Sequence, residues 1–357
     1  VEFLPDEDAL AERSAAKQGL SRPEIAVLFS YCKIWLHAEV LASDLPDDRH
    51  LAADVERYFP SAIRRRLPAR IAGHPLRREL AATVLTNSLI NRVGGTFVSD
   101  IIERTGLTPA EIARAYIIAR DVFRARDLWQ AIEAEDSVMP AAAQVTLRRD
   151  VRRLIERATL WFLANGGRPL DIAAAVAEFA GVVAGLADDV EALLPAAVSD
   201  RIQFRTGRYR RQGVPEGLAR RIAFLIVLPS VLDIVRLAAA RGEAPDAVAR
   251  LYFQLGETLG FGWLRYQAEK LAVDSHWQKL AAAAVIDELY AHQRNIARRV
   301  LEFPAAAAGD AIAAWSGAHA AAVERTRALI AELNAVAAVD LSMLTVASRQ
   351  LRTLAED

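Results

Sequence analysis

The clearest alternation of apolar and polar positions runs from His74 to Tyr116. Leu76, Leu80, Val84, Leu85 and Leu89 recur at helical spacing and predict a helix that reaches Asn91. Thr83, Asn87 and Asn91 fall four apart, so they form one uncharged polar stripe on that helix, with Arg92 at its end. Such a stripe either takes a small polar ligand or links packed helices by hydrogen bonds worth about 1 kcal/mol each. Gly94-Gly95 predicts the break, because glycine reaches positive φ without strain. A second helix, Phe97 to Arg104, is expected to stop at Gly106. Thr108-Pro109-Ala110-Glu111 then predicts a capping box that opens a third.

The same reading extends along the chain. Ser21-Arg22-Pro23-Glu24 is another capping box, opening a helix with Ile25, Leu28, Phe29, Cys32 and Leu36 on one face. Short helical pieces are expected over 51–58, 60–66 and 68–72. Longer helices are expected over 140–165, 171–185, 198–211, 215–229, 231–241, 245–259 and from about 275 to 303, with two alanine-rich helices after Pro304. No stretch shows the period of a strand. The predicted fold is all-α.

One phrase occurs twice. Gly106, Pro109, Ala113-Arg114 and Tyr116 are matched by Gly242, Pro245, Ala249-Arg250 and Tyr252, at a constant offset of 136 (245 − 109). An Arg pair precedes each copy (Arg77-Arg78, Arg220-Arg221). A Trp segment (Trp129, Trp263), an Asp-Ser pair (Asp136-Ser137, Asp274-Ser275) and a long helix follow. This order predicts two related helical modules, 70–165 and 215–303. Residues 166–214 would connect them, with 1–69 and 304–357 as flanking helices.

Composition narrows the chemistry. The 357 residues carry 44 Lys and Arg against 45 Asp and Glu, so no net field draws the chain to nucleic acid or anionic lipid. Cys32 is the single cysteine, which excludes an internal disulfide, fits a reducing cytoplasm, and in its apolar stripe reads as a buried structural thiol. The longest apolar run, Ile222 to Leu228, is far short of the roughly 20 residues of a membrane span, so no membrane partner is expected. No two of the six histidines lie at metal-binding helical spacing, no Gly-x-Ser-x-Gly elbow is present, and Asp188-Asp189 reads as solvated loop charge. The glycines of Gly256-Glu257-Thr258-Leu259-Gly260-Phe261-Gly262 lack dinucleotide-fingerprint spacing and read as helix terminators. Catalytic, cofactor-binding and metal residues are therefore expected to be absent. Arg201, Arg205, Arg208, Arg210 and Arg211, interleaved with Phe204 and Tyr209, could grip RNA, with Arg64-Arg65-Arg66 extending the patch; the neutral net charge favours an ordinary solvated helix.

Several phrases together resemble the C-terminal part of the large bacterial NAD-specific glutamate dehydrogenases. They are Val1-Glu2-Phe3-Leu4-Pro5, Gly19 through Leu28, Ala42 through Asp48, Asn91 through Val98, and Leu259-Gly260-Phe261-Gly262-Trp263-Leu264. The chain departs from that family at Gly95, where Pro is usual, and the departure is expected to loosen the turn. The resemblance implies a parent enzyme that deaminates glutamate oxidatively with NAD, its substrate lysine and nucleotide-binding fold lying upstream. No family catalytic residue maps onto this chain. The implied roles are homo-oligomer assembly, bracing of the upstream catalytic domain of the same polypeptide, or response to an amino-acid effector. A free-standing helical scaffold is the alternative, and an RNA-binding helical protein a more remote one.

Overall fold

Capping boxes mark three helix starts. Ser21, Thr108 and Ser275 each donate a backbone N–H to the side chain three residues on, Glu24 at 2.7 Å, Glu111 at 2.9 Å and Gln278 at 3.2 Å. These bonds satisfy donors that a helix start leaves orphaned. The computed structural model describes residues 3–273, 275–304 and 308–356, with no side chains for 308–310; Asp274 and the Val1-Glu2 pair lie outside the described residues. Among the described residues there is no strand, and the fold is all-α.

The helices are α1 (Glu7–Ala15), α2 (Arg22–Ala42), α3 (Ala52–Tyr58), α4 (Ser61–Arg66), α5 (Pro68–Ala72), α6 (Arg77–Val93), α7 (Phe97–Thr105), α8 (Pro109–Val122), α9 (Ala125–Ala134) and α10 (Ala141–Asn165). There follow α11 (Ile172–Leu193), α12 (Ala196–Arg211), α13 (Glu216–Ala223), α14 (Leu228–Arg241), α15 (Pro245–Thr258), α16 (Phe261–Lys270), α17 (His276–Glu302), α18 (Ala308–Ala318), α19 (Ala320–Ala335) and α20 (Leu341–Glu356). Short 3₁₀ turns occupy Leu45–Asp47, Arg49–Leu51 and Phe224–Ile226. The chain divides into two compact units, one of residues 1–137 and 144–180, the other of 138–143 and 181–357.

In the first unit α6 packs against α2, α3, α7 and α8. Its buried face is Ala81, Ala82, Leu85, Thr86, Leu89, Ile90 and Val93. The expected stripe was partly misplaced: Leu76 is exposed, and Leu80 and Val84 are only half-buried, because the packed face is centred on Ala81, Ala82, Leu85 and Leu89 instead. Gly94 ends α6 at φ 102°, which a residue with a Cβ adopts only under strain. Gly95 has a different reason to be small. A Cβ there would lie 3.0 Å from the Phe29 ring and 3.8 Å from Cys32 Sγ, so its absence seats α2 closely on the turn. Cys32 is half-buried rather than fully enclosed, and burial pushes its thiol pKa up.

In the second unit α17 is the central element, packed against α15, α16, α18 and α20. Ser348 on α20 donates to Glu288 Oε2 at 2.7 Å and lies 3.3 Å from His292 Nε2, both on α17. Ser348 and His292 are buried between the two helices, and the exposed Glu288 closes the edge of this contact. Two expectations need correction. The helix expected over 171–185 continues to Leu193, since Val183, Leu186, Val190 and Leu193 carry a buried face past Gly185. Packing of those residues outweighs the roughly 1 kcal/mol that a mid-helix glycine costs. Asp188 and Asp189 are therefore exposed charges on a helix, not in a loop.

Candidate functional site

A cavity of about 480 Å³ lies in the second unit, walled by α12, α15, α16 and α17. Four arginines line it, Arg201, Arg205, Arg208 and Arg265, together with Asp200, Glu257 and Glu269. Phe204, Phe253, Trp263, Tyr266 and Tyr290 add aromatic rings to the wall. The size and the mixture of apolar wall with a few polar groups are those of a small-molecule site.

Each arginine is held differently. Arg201 Nη2 lies 3.2 Å from Glu257 Oε2. Arg205 donates to Tyr209 Oη at 2.7 Å. Arg208 rests over the Tyr209 ring at 5.3 Å and has no carboxylate partner among the described residues. Arg265 is half-buried, stacked 4.3 Å from the centre of the Tyr290 ring, and donates to Gln293 Oε1 at 2.7 Å. It too has no carboxylate partner among the described residues.

Gln293 sets the orientation. It is buried, accepts from Arg265, and donates through Nε2 to the Tyr252 carbonyl at 3.0 Å. Gly256 makes room for it, since a Cβ there would stand 2.5 Å from that Nε2. Gly262 does the same for Arg201, whose Nη2 is 2.9 Å from the place of a Cβ. The reading of these glycines as terminators is thus corrected: Gly256 lies inside α15 and Gly262 inside α16, and only Gly260, at φ 66°, sits between helices.

Behind the pocket Tyr252 is fully buried and donates to Asp233 Oδ2 at 2.9 Å, while Arg294 Nη1 approaches Asp233 Oδ1 at 3.1 Å. Burial and then the Asp233 charge push the Tyr252 phenol well above its ordinary pKa, so it stays neutral.

The stripe expected as a ligand or interface feature lies elsewhere, in the first unit. Thr83 and Asn87 are half-buried and Asn91 is exposed, and none makes a side-chain hydrogen bond among the described residues. Arg92 pairs with Glu133 and covers the Trp129 ring at 5.3 Å. None of the four lines the cavity. On α12, Tyr209 is fully buried and unavailable for base stacking, and Arg201 and Arg210 are paired with Glu257 and Glu216. That helix is a pocket wall.

Among the features that escaped sequence reasoning are two clusters of side chains. One is the pocket, although its α16 wall is the Gly262-Trp263 phrase already prominent in the sequence. The other is a buried ion cluster in the first unit. Arg120 Nε lies 2.7 Å from Asp121 Oδ1, and its Nη2 lies 2.8 Å from Asp54 Oδ2, off the line of a hydrogen bond. Arg126 binds both aspartates, at 2.8 Å for Asp121; Arg57 joins Asp54, and His50 Nε2 is 2.8 Å from Asp121 Oδ2. Arg120 and Asp54 are nearly inaccessible, and Arg120 Nη1 has no acceptor. Only tertiary structure brings residues 50–57 to residues 120–126.

Fold and cavity together define an all-α domain with a ligand-sized pocket. The pattern of the family described as Glutamate dehydrogenase, C-terminal, matches residues 17–353, and the chain belongs to that family. It is 38% identical over its whole length to an NAD-specific glutamate dehydrogenase of Pseudomonas aeruginosa. Proteins of the same name from Mycobacterium tuberculosis and Halomonas elongata are 34% and 33% identical, over 99% and 100% of the chain. The chain spans only 22% of the length of each of these relatives.

Proposed function

We propose that this chain is the non-catalytic C-terminal domain of an NAD-dependent glutamate dehydrogenase. The parent reaction is oxidative deamination of glutamate to 2-oxoglutarate and ammonia with reduction of NAD. Glutamate and NAD bind upstream, and this domain braces the catalytic region and supports assembly of a cytoplasmic homo-oligomer. The family match and the relatives' name support the parent activity.

One observation carries the bracing role: the uncovered apolar surface of α2. Only Leu36 and Val40 of its 21 residues are buried, and they face α6 and α8. Tyr31, Ile34 and Trp35, which come together at helical spacing on another side, are 47%, 65% and 41% exposed. Ile25 and Phe29 add to this surface near the start of the helix. A cluster of large apolar side chains on a second side of a helix marks a surface that another element covers. α2 is also the one helix among the described residues long and apolar enough to cross a membrane. Its packing on α6 and α8, with Lys33 and Glu39 in its body, supports the protein-facing reading, with the upstream part of the same polypeptide as the covering surface.

The test is Ile34→Asp combined with Trp35→Ser in the full-length enzyme. We expect loss of most glutamate-dependent NADH formation or a change in native mass, with the circular-dichroism spectrum preserved. Full activity at unchanged mass would remove the bracing role.

A further inference from the structure

We infer that the cavity between α12, α15, α16 and α17 binds a small organic monocarboxylate with a planar, apolar body. The inference concerns a binding site of this domain and goes beyond the parent reaction.

The carboxylate preference comes from Arg265 and Arg208. A partly desolvated guanidinium favours a counter-charge, and the half-buried Arg265 has no carboxylate partner among the described residues; Arg208, exposed at the rim of the same wall, has none either. Arg265 is also fixed in place. Tyr290 covers one of its faces and Gln293 takes one of its donors, so the remaining N–H groups are presented with little orientational entropy left to lose. Gln293 is itself locked by the Tyr252 carbonyl and admitted by Gly256. This chain of contacts would be an expensive way to hold a solvated surface arginine, and it is well suited to an anion receptor.

The rest of the wall selects the body of the ligand. Phe204 is 68% exposed, and Trp263 and Tyr266 also keep open surface on the cavity. Exposed rings around a concave site favour a flat apolar group, which stacks on them at little conformational cost. Asp200, Glu257 and Glu269 set three negative charges against the four arginines of the same wall, so one negative charge on a ligand balances it better than the two or more of a phosphate ester.

The experiment is isothermal titration of the full-length protein with indole-3-acetate, its neutral isostere indole-3-acetamide, and inorganic phosphate. We expect saturable one-site binding of indole-3-acetate, at least tenfold weaker binding of the amide, and no saturation by phosphate. Arg265→Gln should weaken indole-3-acetate at least tenfold and Arg208→Gln severalfold, with unfolding midpoints checked in parallel. Arg208 is exposed, so its variant remains informative if Arg265→Gln proves unstable. Equal affinity for acetate and amide, tighter binding of phosphate, or unchanged affinity in both variants would overturn the inference. Binding is read directly, so the outcome is independent of whether the parent turns over glutamate.

Discussion

Arg120 and Gly256 occupy the same place on two helices built alike. α8 and α15 each run for 14 residues, each opens on Pro, and each buries a Tyr at its eighth position, Tyr116 and Tyr252. Each follows a left-handed glycine, Gly106 at φ 69° and Gly242 at φ 65°. Each leads into a 10-residue helix through another left-handed residue, Arg124 at φ 49° and Gly260 at φ 66°. All these positions keep the offset of 136, and we propose that the two modules arose by duplication.

Four residues beyond the buried Tyr the resemblance ends. In the first unit Arg120 fills the space and is neutralised by Asp54 and Asp121. In the second, Gly256 leaves space that Gln293 enters. Five residues into the next helix, Trp129 is nearly buried beneath Arg92, whereas Arg265 faces a cavity. One copy of the frame is thus filled with its own countercharges, and the other keeps a site whose charge is not balanced from within. Arg120, out of water, is compensated within the chain, whereas the half-buried Arg265 has no carboxylate partner among the described residues.

The sharpest way to break this comparison is Arg120→Met. It leaves Asp54 and Asp121 partly uncompensated in a buried place, so the first unit should lose about 3–5 kcal/mol, read as a lower urea midpoint. A loss below about 1 kcal/mol would show that water or repacking replaces the arginine easily, and the contrast between the units would lapse. Gly256→Ala should have a smaller effect. The new Cβ must displace Gln293, breaking its bonds to Tyr252 and Arg265, at a cost of about 1–3 kcal/mol in the second unit. An unchanged midpoint would mean that Gln293 is free to move and that Arg265 is not fixed by it.

The smallest effect is a change of slope with pH. Burial alone would raise the Asp121 pKa, but hydrogen bonds from His50 and Arg120 and the charges of Arg120 and Arg126 hold it far below the ordinary carboxylate value. A pKa depressed by folding contributes stability that is fully present above the unfolded value near 3.9 and is lost as pH falls toward the folded one. Asp121→Asn should therefore flatten the acid side of the first unit's stability profile below about pH 5. The second unit, measured in the same titration, should keep its profile.

Much of the frame was legible in the chain because its determinants are local. The Ser21 and Thr108 boxes need only four consecutive residues, and Gly94 and Gly106 stop their helices through their own φ. The all-α class followed from the same signals. The Gly262-Trp263 phrase was visible as a family feature, but its place on a cavity wall was not. The helix-stop reading of Gly256 failed because the constraint on it is Gln293, 37 positions away (293 − 256). The uncovered face of α2 was missed because spacing reports which residues are apolar and not which of them find a partner.

By itself, then, the sequence determined the helix starts marked by capping boxes, the stops at Gly94 and Gly106, the absence of strand patterning, and the repeated Gly-Pro-Tyr frame, all of which depend on backbone geometry over a few residues. Tertiary structure alone decided which copy of that frame would be filled and which left open. That choice depends on side chains meeting from distant elements, Asp54 with Arg120 and His50 with Asp121 in one unit and Tyr290 and Gln293 with Arg265 in the other. Charge compensation is a property of the assembled space and is not carried by either helix alone.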